Sequence, residues 1–124
     1  MLFLDTHVMV WLYQKCLELL SRKARTAIEK NEIFISPIII LELEYLYEIN
    51  KIKDNSHTIL DYLQNKIGLT VDNENFLEIV NVALNETWTR DPFNRLIVAH
   101  SKYRDAVLIT KDKEIIKNYY KAIF

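Results

Sequence analysis

A chain of 124 residues, half of them hydrophobic, is of a size to form one domain with a substantial core. Sixteen Lys and Arg against seventeen Asp and Glu leave a net charge of −1, so the chain as a whole offers no basic glove for nucleic acid. The lone Cys16 excludes an internal disulfide and points to a reducing compartment, the lone Gly68 excludes a Walker loop or dinucleotide fingerprint, and no apolar run approaches the roughly 18 residues of a membrane span.

Short apolar runs alternate with helical stretches, the pattern of a parallel α/β fold. Leu2-Phe-Leu-Asp5 reads as a buried strand ending in an acid and, with no basic segment before it, not as a secretion signal. Helices over 7–14 and 21–30 follow. Ile33-Phe-Ile35 is the second strand, and Ser36-Pro37 opens a helix over 37–50, the serine as cap and the proline at the first helical position. A helix over 56–66, capped by Asp54 or Ser56, leads to a third strand at Gly68-Leu-Thr-Val71, after which Asp72 is placed to cap a helix over 73–86. Asp91-Pro92 starts a helix over 92–104, Ala106-Val-Leu-Ile-Thr110 is the fourth strand, a helix covers 112–119, and 121–124 offers a short edge strand. The expected architecture is a three-layer α/β/α sandwich on a short, mainly parallel sheet of four or five strands. Ligands would bind at the carboxyl edge of that sheet, where the handovers after Asp5, Ile35 and Thr110 lie.

Asp5 closes an apolar strand and can cap the next helix, ligate a metal, or do both, since a carboxylate has several lone pairs. On a helix wound at about 100° per residue, Ile38, Tyr45, Leu46 and Ile49 fall within roughly 60° of Glu42, while Glu44 and Glu48 point to solvent. Glu42 thus lies on an apolar stripe, where a carboxylate must be protonated, paired with a cation such as arginine, or bound to metal. Asp91 and Asn94 share the first turn of their helix, Asp91 as its cap and Asn94 with an amide oxygen, a weak neutral ligand. Asp112, after the last long strand, is again a cap or a ligand. Capping explains any one of these acids, but does not predict three at strand ends and helix starts together with one on a buried stripe.

The segments bearing these acids resemble the motifs of PIN-domain ribonucleases, most closely the VapC-like toxins of bacterial toxin–antitoxin pairs. They are Leu-Asp5-Thr-His-Val-Met-Val-Trp11-Leu, Ser36-Pro-Ile-Ile-Ile-Leu-Glu42-Leu, Asp91-Pro-Phe-Asn94-Arg-Leu-Ile-Val-Ala-His and Leu-Ile-Thr110-Lys-Asp112, in family order across residues 4–112. The resemblance implies a single PIN-like domain over 1–124 that cleaves RNA at an acidic cluster using Mg²⁺ or Mn²⁺. It matches Asp5, Glu42 and Asp112 to the family's first, second and last acids, and Asp91 to an aspartate that mainly caps. Where the family usually has a second aspartate, in Asp-Pro-Phe-Asp-Arg, this sequence has Asn94. The implied catalytic set is Asp5, Glu42, Asp91, Asn94 and Asp112, with Asp5, Glu42, Asn94 and Asp112 as metal ligands. It is one charge short, as fits a natural variant drawing on Asp91, a weak nuclease, or a deliberately inactivated form. The alternative function is a PIN-fold module that binds RNA or antitoxin without efficient cleavage. The resemblance further implies a cytoplasmic homodimer, away from membranes, blocked by a cognate antitoxin whose tail lies along a groove to the site.

Metal-based chemistry accommodates the near-neutral charge, because the cation rather than the bulk protein attracts phosphate. Arg90, Arg95, Lys111 and Lys113 flank the acids and read either as RNA-backbone contacts or as solvated surface. His7 and His100 read as structural, His57 as surface, and Trp11 and Trp88 as core or interface anchors. Leu41, Leu43 and Tyr47 make the helix over 37–50 more apolar than one buried face requires, as at an interface. A phosphoacceptor receiver would need an acidic pair after the first strand, and a haloacid-dehalogenase-type phosphatase an Asp-x-Asp there. The sequence has a lone Asp5, with His7 at the second position.

Overall fold

The computed structural model describes residues Met1–Phe124. Strands β1 (Leu2–Leu4), β2 (Ile33–Ile35), β3 (Thr70–Val71), β4 (Val107–Ile109) and β5 (Ala122–Ile123) form one sheet. Its order is β3-β2-β1-β4-β5, and every pairing is parallel. Phe3 stands opposite Phe34 on one side and Leu108 on the other, and Ile109 stands opposite Ile123. Parallel neighbours cannot be joined by hairpins, so the connections cross over through helices. These are α1 (Thr6–Tyr13), α2 (Arg22–Lys30), α3 (Ile38–Glu48), α4 (Ser56–Ile67), α5 (Phe76–Ala83), α6 (Pro92–Tyr103) and α7 (Lys113–Asn118). They cover both faces of the sheet in an α/β/α sandwich. Along β1 successive side chains point to opposite faces, yet Leu2, Phe3 and Leu4 are all buried. The core continues through Ile35, Leu108 and Ile109 to Val8, Met9, Ile39, Leu43, Leu63 and Ile97. Burying one such side chain stabilises the fold by about 1.5–3 kcal/mol.

Strand order reverses at β1: β2 and β3 lie to one side, β4 and β5 to the other. Chains leaving the carboxyl ends of β1 and β4 therefore diverge and open a crevice. The edge strand at the chain's end is present as β5, and the third and fourth strands are shorter than the sequence suggests. Gly68 belongs to the end of α4, not to a strand. Its left-handed φ of 65° closes that helix, a conformation glycine adopts without a Cβ penalty.

Several caps differ from expectation. Asn55, rather than Asp54 or Ser56, caps α4 by accepting from Thr58 N. Asp54 instead accepts from the Tyr13 hydroxyl. Asp72 caps nothing; α5 starts later, at Phe76, with Asn75 as its cap. Ser36 reaches Ile38 N only at 3.4 Å, and Pro37 already has helical angles.

The exposed and buried faces of α3 also differ from the helical-wheel reading. Ile39 and Leu43 are fully buried, whereas Tyr45 and Ile49 are exposed, as are Leu41 and Tyr47. The helix is apolar nearly all round, so periodicity alone could not fix which side faces the core. Glu44 is not a solvated bystander: its carboxylate accepts from the backbone N and the hydroxyl of Ser56, which holds its pKa below the usual glutamate value.

Candidate functional site

Asp5 sits where β1 hands over to α1. Its backbone N–H still belongs to the sheet, donating to Ile109 O at 2.9 Å. One carboxylate oxygen accepts from Thr6 N at 2.8 Å and starts α1; the other accepts from the Thr110 hydroxyl at 2.6 Å. That hydroxyl in turn accepts from Asp112 N at 3.0 Å, so the ends of two adjacent strands are tied through one threonine. Asp112 caps α7 with Oδ1, accepting from Glu114 N and Ile115 N, and turns Oδ2 toward Asn94 Nδ2, 3.5 Å away. Asp91 caps α6 with Oδ1, accepting from Phe93 N and Asn94 N. Glu42, half-buried on α3, accepts a short hydrogen bond from the Thr6 hydroxyl through Oε1.

Each acid thus has a structural task, yet all converge. Asp5, Glu42, Asp91, Asn94 and Asp112 line one cavity of about 300 Å³. His7, Trp11 and Lys111 complete its wall. His7 is therefore exposed at the cavity and does not pack the helix start as expected. Burial pushes the Asp5 carboxyl above its ordinary pKa, against the hydrogen bonds from Thr110 and Thr6, and the Asp112 charge adds to the rise. Burial also raises Glu42, with Asp5 and Asp91 adding repulsion and the Thr6 hydroxyl opposing it. The cavity thus gathers carboxylates whose charged forms are disfavoured by burial and by one another.

A hard divalent cation suits this donor set, which is all oxygen and mainly carboxylate. No three His, Cys, Asp or Glu side chains are drawn together into a closed metal cage. Mg²⁺ in general keeps several waters and takes only one or two carboxylates directly, so its binding does not require such a cage. Oδ2 of Asp91 and Oε2 of Glu42 accept no hydrogen bond and face no internal competitor.

Of the four flanking cations, only Lys111 joins the cavity wall. Arg95 is committed elsewhere: its guanidinium donates to Ala83 O and Leu84 O, carbonyls at the end of α5. Arg90 donates to Thr87 O. The hydroxyls of Thr6 and Thr110 are the site residues that sequence reasoning passed over, although each stands within two positions of a site acid. His100 is structural, as expected, but its partner is unforeseen. It lies buried against the Phe3 ring with Nε2 2.8 Å from Asp72 Oδ2, and Arg104 Nε approaches the same oxygen at 3.0 Å.

A groove leaves the acidic cavity along α1. His7 and Trp11 are shared with an adjoining cavity of about 500 Å³, walled also by Leu46 and Ile49. Val10, Gln14, Lys51 and Ile52 link that cavity to a third, of about 460 Å³, ending at Tyr13 and Asp54. The acid site is thus open at one end onto a mixed apolar and basic channel.

No curated protein matches the chain by sequence. Among solved structures, it is similar to a toxin–antitoxin complex from Klebsiella pneumoniae, with a TM-score of 0.68 and 16% identity over 100% of this chain and 97% of that one. It is also similar to VapBC2 from Rickettsia felis, solved bound to a DNA fragment from its promoter, with a TM-score of 0.67 and 19% identity over 99% of this chain and 96% of that one. At these identities the likeness speaks to the fold. The PIN domain family matches residues 2–121, which includes the two strands that Asp5 and Asp112 follow, the first turn of α6 and Glu42 on α3, and the chain belongs to that family.

Proposed function

We propose that this PIN-domain protein is a VapC-like ribonuclease, the toxin of a toxin–antitoxin pair, acting on RNA in the reducing cytoplasm. The observation that carries the reading is the meeting of Asp5, Glu42, Asp91, Asn94 and Asp112 at one cavity on the carboxyl edge of the sheet. In this reading Asp5, Glu42, Asn94 and Asp112 hold Mg²⁺ or Mn²⁺. Bound there, the cation supplies Lewis acidity toward a phosphate oxygen and lowers the pKa of water. The chain's own part is to keep acids ionised and aimed. Thr110 and Thr6 N donate to Asp5, and the Thr6 hydroxyl donates to Glu42, each stabilising the charged form against burial. Asp91 holds the first turn of α6 so that Asn94 faces Asp112.

Asn94 gives the second reading its footing. An amide in place of a carboxylate keeps shape but removes one negative charge, so a module that binds RNA or antitoxin with little cleavage is the alternative. The deciding experiment compares this protein with Asn94→Asp on RNA in Mg²⁺ and in Mn²⁺. The expected result is cleavage about 10–100-fold faster for the aspartate form, with tighter metal binding. Asp5→Ala and Glu42→Ala should remain folded and inactive. If Asn94→Asp neither cleaves faster nor binds metal better, Asn94 is not in the site; RNA binding without metal-dependent cleavage by either form favours the module.

Two features support the partners. The groove along α1, lined by Val10, Leu46, Ile49 and Ile52, suits an apolar antitoxin segment running to the acids. Leu41 and Tyr45 on α3, and Phe76, Leu77 and Leu84 on and just after α5, stand exposed, more apolar surface than a monomer of this size needs to show, which supports a homodimer.

A further inference from the structure

Lys111 is the one lysine or arginine in the wall of the acidic cavity, and it follows directly on Thr110 and precedes Asp112. A lysine recruited merely to balance those acids would lie in an ion pair with one of them. It does not: the protein's ion pairs join His100, Lys102, Arg104 and Lys121 to Asp72, Glu74, Glu86 and Asp105, and none includes Lys111. Its ammonium lies instead 5.8 Å from the ring centre of Trp11 and 5.7 Å from that of Phe124. The two rings meet edge to face, 6.2 Å apart at 68°. An aromatic face attracts a cation through its quadrupole but carries no net charge. It therefore fixes the ammonium in place without neutralising it, and leaves its N–H donors unspent. Lys111 is also exposed, so an incoming group can reach it.

We propose that Lys111 is a phosphate-binding residue of this site, contacting a backbone phosphate of an RNA strand seated in the cavity, and that Trp11 and Phe124 hold it clear of the acids. The assignment rests on the ribonuclease reading for the identity of its ligand. It adds to that reading a cation contributed by the chain itself, on the β4–α7 connection.

The test uses a 20-nucleotide unstructured single-stranded RNA, with binding read by fluorescence anisotropy in Ca²⁺ and cleavage read separately in Mg²⁺ with the Asn94→Asp protein. Lys111→Ala should weaken binding about tenfold at low salt and reduce the slope of log Kd against log salt by about 0.7. Lys111→Arg should keep most of the affinity. Lys111→Gln provides a second neutral variant should alanine perturb the loop. Lys113→Ala, an exposed lysine outside the cavity wall, should have the smaller effect. Equal binding by Lys111→Ala and the parent, or an equal loss in Lys113→Ala, overturns the assignment. Lys111-dependent binding with no cleavage by Asn94→Asp upholds it while removing the nuclease reading. Cleavage by Asn94→Asp that is indifferent to Lys111 removes this assignment alone, and failure of the parent to bind RNA removes both.

Discussion

Asp5 is withdrawn from water to 6% exposure, and two hydrogen bonds only partly replace its lost hydration. Its folded pKa lies above the ordinary aspartate value, so the folded state binds the proton more readily than the unfolded chain does. Ionised Asp5 therefore costs stability at every pH above that raised value, and the cost disappears as pH falls below the ordinary aspartate range. Asp5→Asn removes the charge while its amide oxygen can still accept from Thr6 N. In metal-free buffer at pH 7 the variant should melt about 2–5 °C higher than the parent. On the metal-dependent ribonuclease reading, Mg²⁺ should raise the parent's melting temperature and leave the variant's unchanged, because a ligand that binds only the folded form stabilises it. A lower melting temperature for the metal-free variant would mean that Asp5 is a structural anion and not a functional one. The acids themselves were legible because each interrupts an apolar run or starts a helix. Their hydroxyl partners were not: Thr110 and Asp5 are 105 positions apart, and only the pairing of β1 with β4 brings them together.

Helix α6 carries Asp91 and Asn94 on its first turn, and its position is set along its whole length. Asp91 satisfies the first amides, Arg95 grips the end of α5, and His100 and Arg104 dock on Asp72 at the end of β3. Burial lowers the His100 pKa, although the hydrogen bond and charge of Asp72 pull it up. The folded state thus takes up a proton at His100 less readily than the unfolded chain, which protonates it near the ordinary histidine value. Stability attributed to this group is complete above that value and declines as pH falls through it. Thermal melts from pH 7 to pH 5 should show a fall of about 2–4 °C that His100→Gln, which keeps a donor to Asp72, largely removes. An unchanged profile in the variant would place the pH response elsewhere. Asp72 illustrates why element-level reading failed here. An acid after a strand looks like a helix cap, and only the irregular stretch 72–75 delays the helix enough to free it for α6. On α3 the failure has a different cause, since a helix with isoleucine, leucine and tyrosine on every side carries no periodic signal. Glu42 was found despite that, because a lone acid among apolar residues is informative whichever side is buried.

For the molecule as a whole, sheet class and the meeting of the acids at one cavity followed from the sequence more securely than strand lengths or interfaces. Short apolar runs between helices specify parallel strands covered on both faces, whatever their register. The exposed apolar side chains of α3 and α5 depend on packing that a linear pattern does not contain. Leu77, 68% exposed, touches no core cluster and is a direct probe of the proposed dimer. Light scattering should report twice the chain mass for the parent, and Leu77→Asp should shift it toward the monomer without lowering helical content. A parent that is monomeric at micromolar concentration leaves the apolar surface to another partner.

The central position of β1 has a consequence for how the protein is made. β1 cannot be flanked on its second side until β4 exists, and Asp5 cannot be tied to Thr110 before then. At about 5–20 residues per second, that tie is missing for about 5–20 s after Asp5 is made. Until residue 112 has been made, the cavity lacks at least one of the acids that line it. On the ribonuclease reading, the ribosome and the message that encode this protein are shielded from it until β4 and Asp112 have been made and β4 has paired with β1.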